Sequence, residues 1–273
     1  FYTEYAFTLN EKHDIKVLGG LDMESNRYTL LGASRADLIT PEVPTLNNAT
    51  NKVVNPSFSD TQWATMGVFA RANYAYDNRY LAEFSIRRDG SSRFIGDKTW
   101  GVFPSFSLGW NIANEAFFKP LTNTVQVLKL RGSWGALGNT NITALYPWFL
   151  RQPAWATASS WLLNNSRINV AGVAGLVSPF LTWERIQSWN IGVDFGLFNN
   201  RLQGNFDYFV RTTKNMVGPA PAKPSILGAT QPAENNSDMR SNGWELEVRW
   251  RDQIGQVNYG AKLVLSDDYQ TIT

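Results

Sequence analysis

Apolar and polar residues alternate with a period of two along most of this chain. Over 67–76 one parity holds Val68, Ala70, Ala72, Tyr74 and Tyr76, and the other Phe69, Arg71 and Asn73. Tyr80, Ala82, Phe84 and Ile86 oppose Glu83, Ser85 and Arg87, while Leu128, Leu130, Gly132 and Trp134 oppose Lys129, Arg131 and Ser133. Trp189, Ile191, Val193, Phe195 and Leu197 oppose Asn190, Gly192, Asp194 and Gly196. In 202–211 the apolar set is Leu202, Gly204, Phe206, Tyr208 and Val210, against Gln203, Asn205, Asp207 and Arg211. Trp244, Leu246, Val248 and Trp250 oppose Glu245, Glu247, Arg249 and Arg251. Successive strand side chains point to opposite faces, so each segment predicts a strand with one apolar and one charged face. Ten such strands are predicted, near 4–9, 15–25, 62–76, 80–88, 100–112, 125–136, 182–197, 201–216, 242–251 and 256–266.

Their connections alternate short and long. Glu11–Asp14, Asp77–Arg79, Asn199–Asn200 and the turn before 256 are tight, whereas 32–60, the Gly/Ser-rich 89–98, 139–181 and the Pro-rich 217–240 are longer. Two architectures hide one face of an alternating strand. In a sandwich the apolar face is a core and the charged face meets water. In a barrel the apolar face meets lipid and the charged face lines a lumen. Three features favour the barrel. The strands reach ten residues or more, where globular strands average about 5–6 and tilted membrane strands need about 9–11. Aromatics gather towards strand ends (Trp63, Tyr74, Tyr76, Tyr80, Trp100, Trp110, Trp183, Tyr208), as interfacial girdles do. Tight turns at one end with long loops at the other is the plan of an outer-membrane barrel. The fold class predicted is therefore all-β, a transmembrane antiparallel barrel.

Composition narrows this further. The 273 residues carry a formal net charge of +2, which implies no nucleic-acid partner. No cysteine is present and His13 is the single histidine, so a Cys-ligated metal, a thiolate nucleophile and a Ser-His-Asp set find no support. No catalytic residue, metal or cofactor is predicted. No apolar run approaches the roughly 18 residues of a membrane helix. An open ten-strand wall leaves two unpaired edges, which lipid does not tolerate. Residues 1–273 are thus expected to be part of one larger barrel, with its terminal strands and any leader elsewhere.

A run from Tyr80 through Arg87-Arg88-Asp89-Gly90-Ser91-Ser92-Arg93-Phe94 leads into Trp100-Gly101-Val102-Phe103-Pro104-Ser105-Phe106 and Glu115-Ala116-Phe117. Leu128–Gly135, Thr182-Trp183-Glu184, Asp207-Tyr208-Phe209 and Gly243–Glu247 follow in order. This succession resembles the SusC/RagA-type TonB-linked outer-membrane transporters of Bacteroidota. The resemblance implies a 22-stranded barrel filled by a plug domain, with the chain as about ten of those strands. It implies outer-membrane lipid as surroundings, a SusD-like lipoprotein over the mouth, energy from the TonB complex through the plug, and glycan or peptide cargo. No plug sequence lies within 1–273. A secreted β-sandwich carbohydrate-binding module and a passive porin are the alternatives.

On this reading Arg71, Glu83, Arg87, Lys129, Arg131, Asp194, Asp207, Arg211, Glu245, Glu247, Arg249 and Arg251 face the lumen. They could touch plug or cargo, or simply pair across strands on a wetted wall. Tyr146, Trp148, Phe149, Trp155 and Trp161 lie amid Asn, Ser and Thr in the long 139–181 link. Aromatic faces beside amides suit a sugar or a partner protein, and suit loop self-packing equally.

Overall fold

The computed structural model describes residues 1–50, 54–140, 145–150, 152, 154–155, 162–172, 174–221, 224, 226, 228–229 and 231–272. The first alternating segments form β1 (Tyr2–Leu9), β2 (His13–Ser34), β3 (Val54–Tyr76), β4 (Tyr80–Ser91), β5 (Trp100–Asn111) and β6 (Val125–Asn139). Four two-residue strands follow in the long link: β7 (Ala154–Trp155), β8 (Leu162–Leu163), β9 (Ser166–Arg167) and β10 (Val170–Ala171). The wall resumes with β11 (Glu184–Leu197), β12 (Leu202–Gly218), β13 (Glu234–Ile254) and β14 (Val257–Ile272). The long strands make one ten-stranded antiparallel sheet in chain order, skipping only β7 to β10. Among the described residues no second long-stranded sheet packs on it, so a sandwich has no core here. Among the described residues no helix is long and apolar enough to cross a membrane, which says nothing of crossing by strands.

Register carries one face unbroken across the wall. Arg71, Ser85, Ser105, Gly135, Ser188, Arg211 and Ser241 form one cross-strand row. The adjacent row is Ala72, Phe84, Phe106, Trp134, Trp189, Val210 and Asn242. The first is polar and points one way; the second is mostly apolar and points the other. Phe84, Phe106 and Trp189 are exposed on that second face. Among the described residues buried hydrophobics are few, namely Ala49, Phe94, Phe103, Phe118, Ala136 and Leu181. A single-layer wall, with its apolar side facing out, accounts for both facts.

The tight turns work because their residues accept left-handed backbone. Asn10 and Glu11 have φ of 50° and 57°, Asp77 and Asn78 50° and 51°, and Gly255 58°. Asn, Asp and Gly pay least for that conformation. Phe198 joins Asn199 and Asn200 there with φ 56°, a costlier choice for a bulky residue.

Strand lengths depart from expectation at the long-loop end. β2 continues to Ser34 and β3 begins at Val54, so both ends of the 32–60 link are a paired ribbon. β13 begins at Glu234, inside the expected 217–240 link. Backbone pairing continues where both faces meet water, and alternation no longer marks it. At the tight-turn end, 112–124 is a longer connection built of short 3-10 turns.

The girdle assignment needs two corrections. Trp63 has the parity of Arg71 along a continuous register, and Arg93 lies over its ring at 5.5 Å. Trp183 packs against Phe94 and Phe103, with Nε1 donating to Lys98 O at 3.0 Å. Neither belongs to an outer girdle. The tight-turn end does carry one: His13, Tyr76, Tyr80 and Trp110 follow one another with ring centroids 4.9, 6.3 and 6.5 Å apart.

Candidate functional site: the polar face of the wall

All twelve charged candidates fall on the polar face by register, in four groups and four single residues. The tightest group centres on Arg131 of β6. Its Nε donates to Asp194 at 3.1 Å and its terminal nitrogen to Asp207 at 2.5 Å. Asp207 also accepts from Asn205 at 3.2 Å and is 7% exposed. Three adjacent strands are thus tied by one guanidinium. Gly192 makes room for it: a Cβ there would stand 2.6 Å from Asp207 Oδ1 and 2.8 Å from Arg131 Cζ. The sequence showed the charges but not that the glycine between them leaves the space their side-chain ends occupy.

A second group joins Arg87 to Asp89 at 2.9 Å and Asp22 at 3.0 Å, over the Phe69 ring. Asp22 was missed in sequence because β2 reaches β4 only across β3, and Asp89 because the strand predicted there ends at 88 whereas β4 runs to Ser91. In the third group Glu83 accepts from Asn73 at 2.5 Å and lies 3.8 Å from Arg71. In the fourth, Glu247 sits between Lys262 at 2.9 Å and Arg249 at 3.3 Å. Lys129, Arg211, Glu245 and Arg251 share the face but join no ion pair among the described residues. A cavity of about 750 Å³ opens on the tight-turn half of this face, lined by Lys16, Asn73, Glu83, Ser107, Lys129 and Asn190 among others.

Towards the long loops the face is capped by an apolar cluster. Phe94, Leu181, Trp183 and Val217 pack together, with Phe103 against Trp183. Gly138 is required beside them, since a Cβ would collide with the Phe103 and Trp183 rings. Glu184 accepts from Asn139 Nδ2 at 2.7 Å and Val217 N at 2.9 Å. The Asn235 side-chain amide pairs with both backbone groups of Thr182, at 2.9 and 3.1 Å. These contacts pin the root of the long link to three strands.

Of the loop aromatics, Tyr146 donates its hydroxyl to Gln62 O and meets Trp148 edge-on, and Trp148 meets Phe149 likewise. This segment packs on itself and on the upper end of β3. The backbone of Trp155 pairs with Val170, and Trp161 lies outside the described residues.

At the opposite end, in the 112–124 connection, Glu115 is buried at 7% exposure. Its carboxylate accepts from Trp110 Nε1 at 3.0 Å and from Arg79 at 3.3 Å. Hydrogen bonds from the Tyr80 hydroxyl first, then Trp110 and Arg79, hold this carboxyl below the ordinary carboxylate range. Glu115 thereby ties the girdle pair Tyr80–Trp110 to two turns.

Nothing in these groups pairs a nucleophile with a base, and among the described residues no cluster of His, Cys, Asp and Glu could hold a metal. What the face offers is a continuous wetted wall of mixed charge. The TonB dependent receptor-like, beta-barrel family model matches residues 1–272. The chain belongs to this family. As a TonB-dependent receptor barrel it is a section of a transmembrane antiparallel barrel of the outer membrane. It is 31% identical to TonB-dependent receptor P39 of Formosa agariphila over 248 residues, 90% of this chain and 23% of that protein. It is 32% identical to TonB-dependent receptor SusC of Bacteroides thetaiotaomicron over 191 residues, 69% of this chain and 18% of that protein. The RagAB peptide transporter structure superposes on the whole chain with a TM-score of 0.86 at 27% identity, over 29% of its own chain. The receptor section thus spans about a quarter or less of the curated relatives it matches. These relatives are receptors and transporters by name, and none is named as an enzyme.

Proposed function

We propose that this chain is a wall section of a SusC/RagA-type importer that takes oligosaccharides or peptides across the outer membrane. In this reading the apolar face meets lipid and the polar face lines the lumen. Residues 1–273 form part of one barrel domain, and a plug elsewhere in the full-length protein fills it. Lys129, beside the cavity on the tight-turn half, would meet that plug; Arg211, Glu245 and Arg251 would meet plug or solute. A SusD-like lipoprotein caps the long-loop end, where Tyr146 and Trp148 stand, and the TonB complex supplies energy through the plug. The chain's role is transport, not catalysis. The observation that carries this is the superposition of the whole chain on the RagAB transporter, together with a polar face continuous across ten strands. It is tested by deleting the full-length gene and following growth on single oligosaccharides or peptides as sole nutrient. Loss of growth on one such class, restored by the gene and dependent on an intact TonB, is expected. Growth unaffected on every class would overturn the reading.

A further inference from the structure

Arg87 and Arg88 are neighbours in sequence and face opposite ways. Arg87 is held by Asp22 and Asp89 on the polar face. Arg88 has the outer parity, between Val68 of β3 and Val102 of β5. It is exposed and joins no ion pair among the described residues. The outer face around it is apolar: Met66, Val68 and Ala70 on one side, Trp100, Val102 and Pro104 on the other. A cation there needs a reason, since Arg facing mid-membrane lipid costs about 2–4 kcal/mol and near an interface about 0–1.

Geometry supplies it. Arg88 stands eight residues above Tyr80, the β4 member of the tight-turn girdle. At about 3.3 Å per residue and a tilt of about 40°, that is roughly 20 Å of height, within about 5 Å of the top of a ~25 Å apolar band. The side chain goes on upward. Its Cζ lies 5.0 Å from the ring centroid of Trp100, and Trp100 pairs with Gly90, two residues nearer the long loops. Gly90 permits this, because a Cβ would stand 2.9 Å from the indole. An indole at the interface with a guanidinium over it, reaching from an apolar wall to headgroup level, is a cationic anchor.

We propose that Arg88 on its Trp100 platform binds the phosphate of an outer-leaflet lipid headgroup. The occupant is a lipid because the site opens only on the apolar face, where lipid is the solvent. Its anionic character follows from the unpaired charge. A single cation at a membrane surface contributes about 1 kcal/mol, roughly fivefold in affinity.

The test uses the full-length receptor in nanodiscs, with lipid A carrying phosphate or enzymatically dephosphorylated, and reads retained lipid by native mass spectrometry. About fivefold preference for the phosphorylated form is expected in the parent. Arg88→Gln should abolish that preference and Arg88→Lys should keep most of it, while both variants assemble. An undiminished preference in Arg88→Gln overturns the proposal. Abolition of the preference by millimolar inorganic phosphate would also overturn it, because the site would then be a general anion site. Neither outcome depends on which solute the receptor imports.

Discussion

Arg87 and Arg88 state the difference between the two faces in adjacent residues. On the inner face most charges are matched: Arg87 has Asp22 and Asp89, Arg131 has Asp194 and Asp207, and Glu247 has Lys262 and Arg249, while Lys129, Arg211, Glu245 and Arg251 join no ion pair among the described residues. Arg87–Asp22, Arg131–Asp194, Arg131–Asp207 and Glu247–Lys262 run between strands and so also fix register, whereas Arg87–Asp89 and Glu247–Arg249 lie within one strand. On the outer face charge is sparse in the spanning rows: Asp267 stands opposite Trp244, and Arg88 lies against an indole that carries it towards the rim. The lesson is that charge content separates the faces of a strand, and that most inner charges keep an opposite charge beside them. A polar wall carries many charges, mostly beside an opposite one; a lipid-facing wall carries few.

The sharpest way to break this contrast is to put a charge in the middle of the outer face. Val248 pairs with Leu263 and Gly204 on that face. Val248→Arg in the full-length protein should cost about 2–4 kcal/mol and sharply reduce outer-membrane assembly. Heat-modified mobility of the assembled barrel reads this directly.

Removing a matched partner on the inner face comes next. Asp207→Ala leaves Arg131 with Asp194 alone and vacates the space that Gly192 keeps clear. Loss of a largely buried charged acceptor costs about 1–3 kcal/mol. Urea unfolding from lipid vesicles should show that loss with assembly retained. Arg131→Met should cost at least as much, since it leaves both Asp194 and Asp207 without their cation.

The turn-end anchor gives a smaller effect confined to acid pH. Glu115 has its carboxyl lowered by Tyr80, Trp110 and Arg79. A lowered folded-state value contributes stability above the unfolded value of about 4.3 and loses it as pH falls through the folded one. Thermal unfolding of the parent should therefore decline below about pH 4.3. Glu115→Gln should be less stable at neutral pH and lack that share of the acid-side decline. The smallest effect is expected for Arg249→Ala, which removes one of two cations from Glu247 on a half-exposed pair. A change within about 0.5 kcal/mol and normal assembly would fit. Equal assembly of Val248→Arg and Arg249→Ala would contradict the face assignment.

Much of the spanning wall was legible in the sequence because a one-residue slip would turn every side chain to the wrong solvent. Alternation from Tyr80 to Ile86 or from Trp189 to Leu197 therefore locates strand, face and register together. The signal fades where both faces meet water. Leu30 to Ser34 pairs with Val54 to Ser59 in a ribbon whose residues carry no two-fold pattern. Aromatic identity was a weaker guide than parity. Trp100 and Trp110 share the outer face with Phe106, but Trp63 and Trp183 turn inward to Arg93 and to the Phe94 cluster. The charged candidates were readable as a face, whereas their partners were not. Asp22 reaches Arg87 across an intervening strand, and Gly192 matters for the atoms it lacks.

The central claim is that one face meets lipid and the other water, and β13 tests it most directly. The chain has no cysteine of its own. Spin labels would be placed singly through Leu246→Cys, Glu247→Cys, Val248→Cys and Arg249→Cys in the full-length, otherwise cysteine-free receptor in bilayers. Collision with oxygen, which concentrates in lipid, would be compared with collision with a water-soluble nickel chelate. The account predicts oxygen-dominated collision at 246 and 248 and a clear shift away from it at 247 and 249. The same ratio at all four positions, or the alternation reversed, would contradict it.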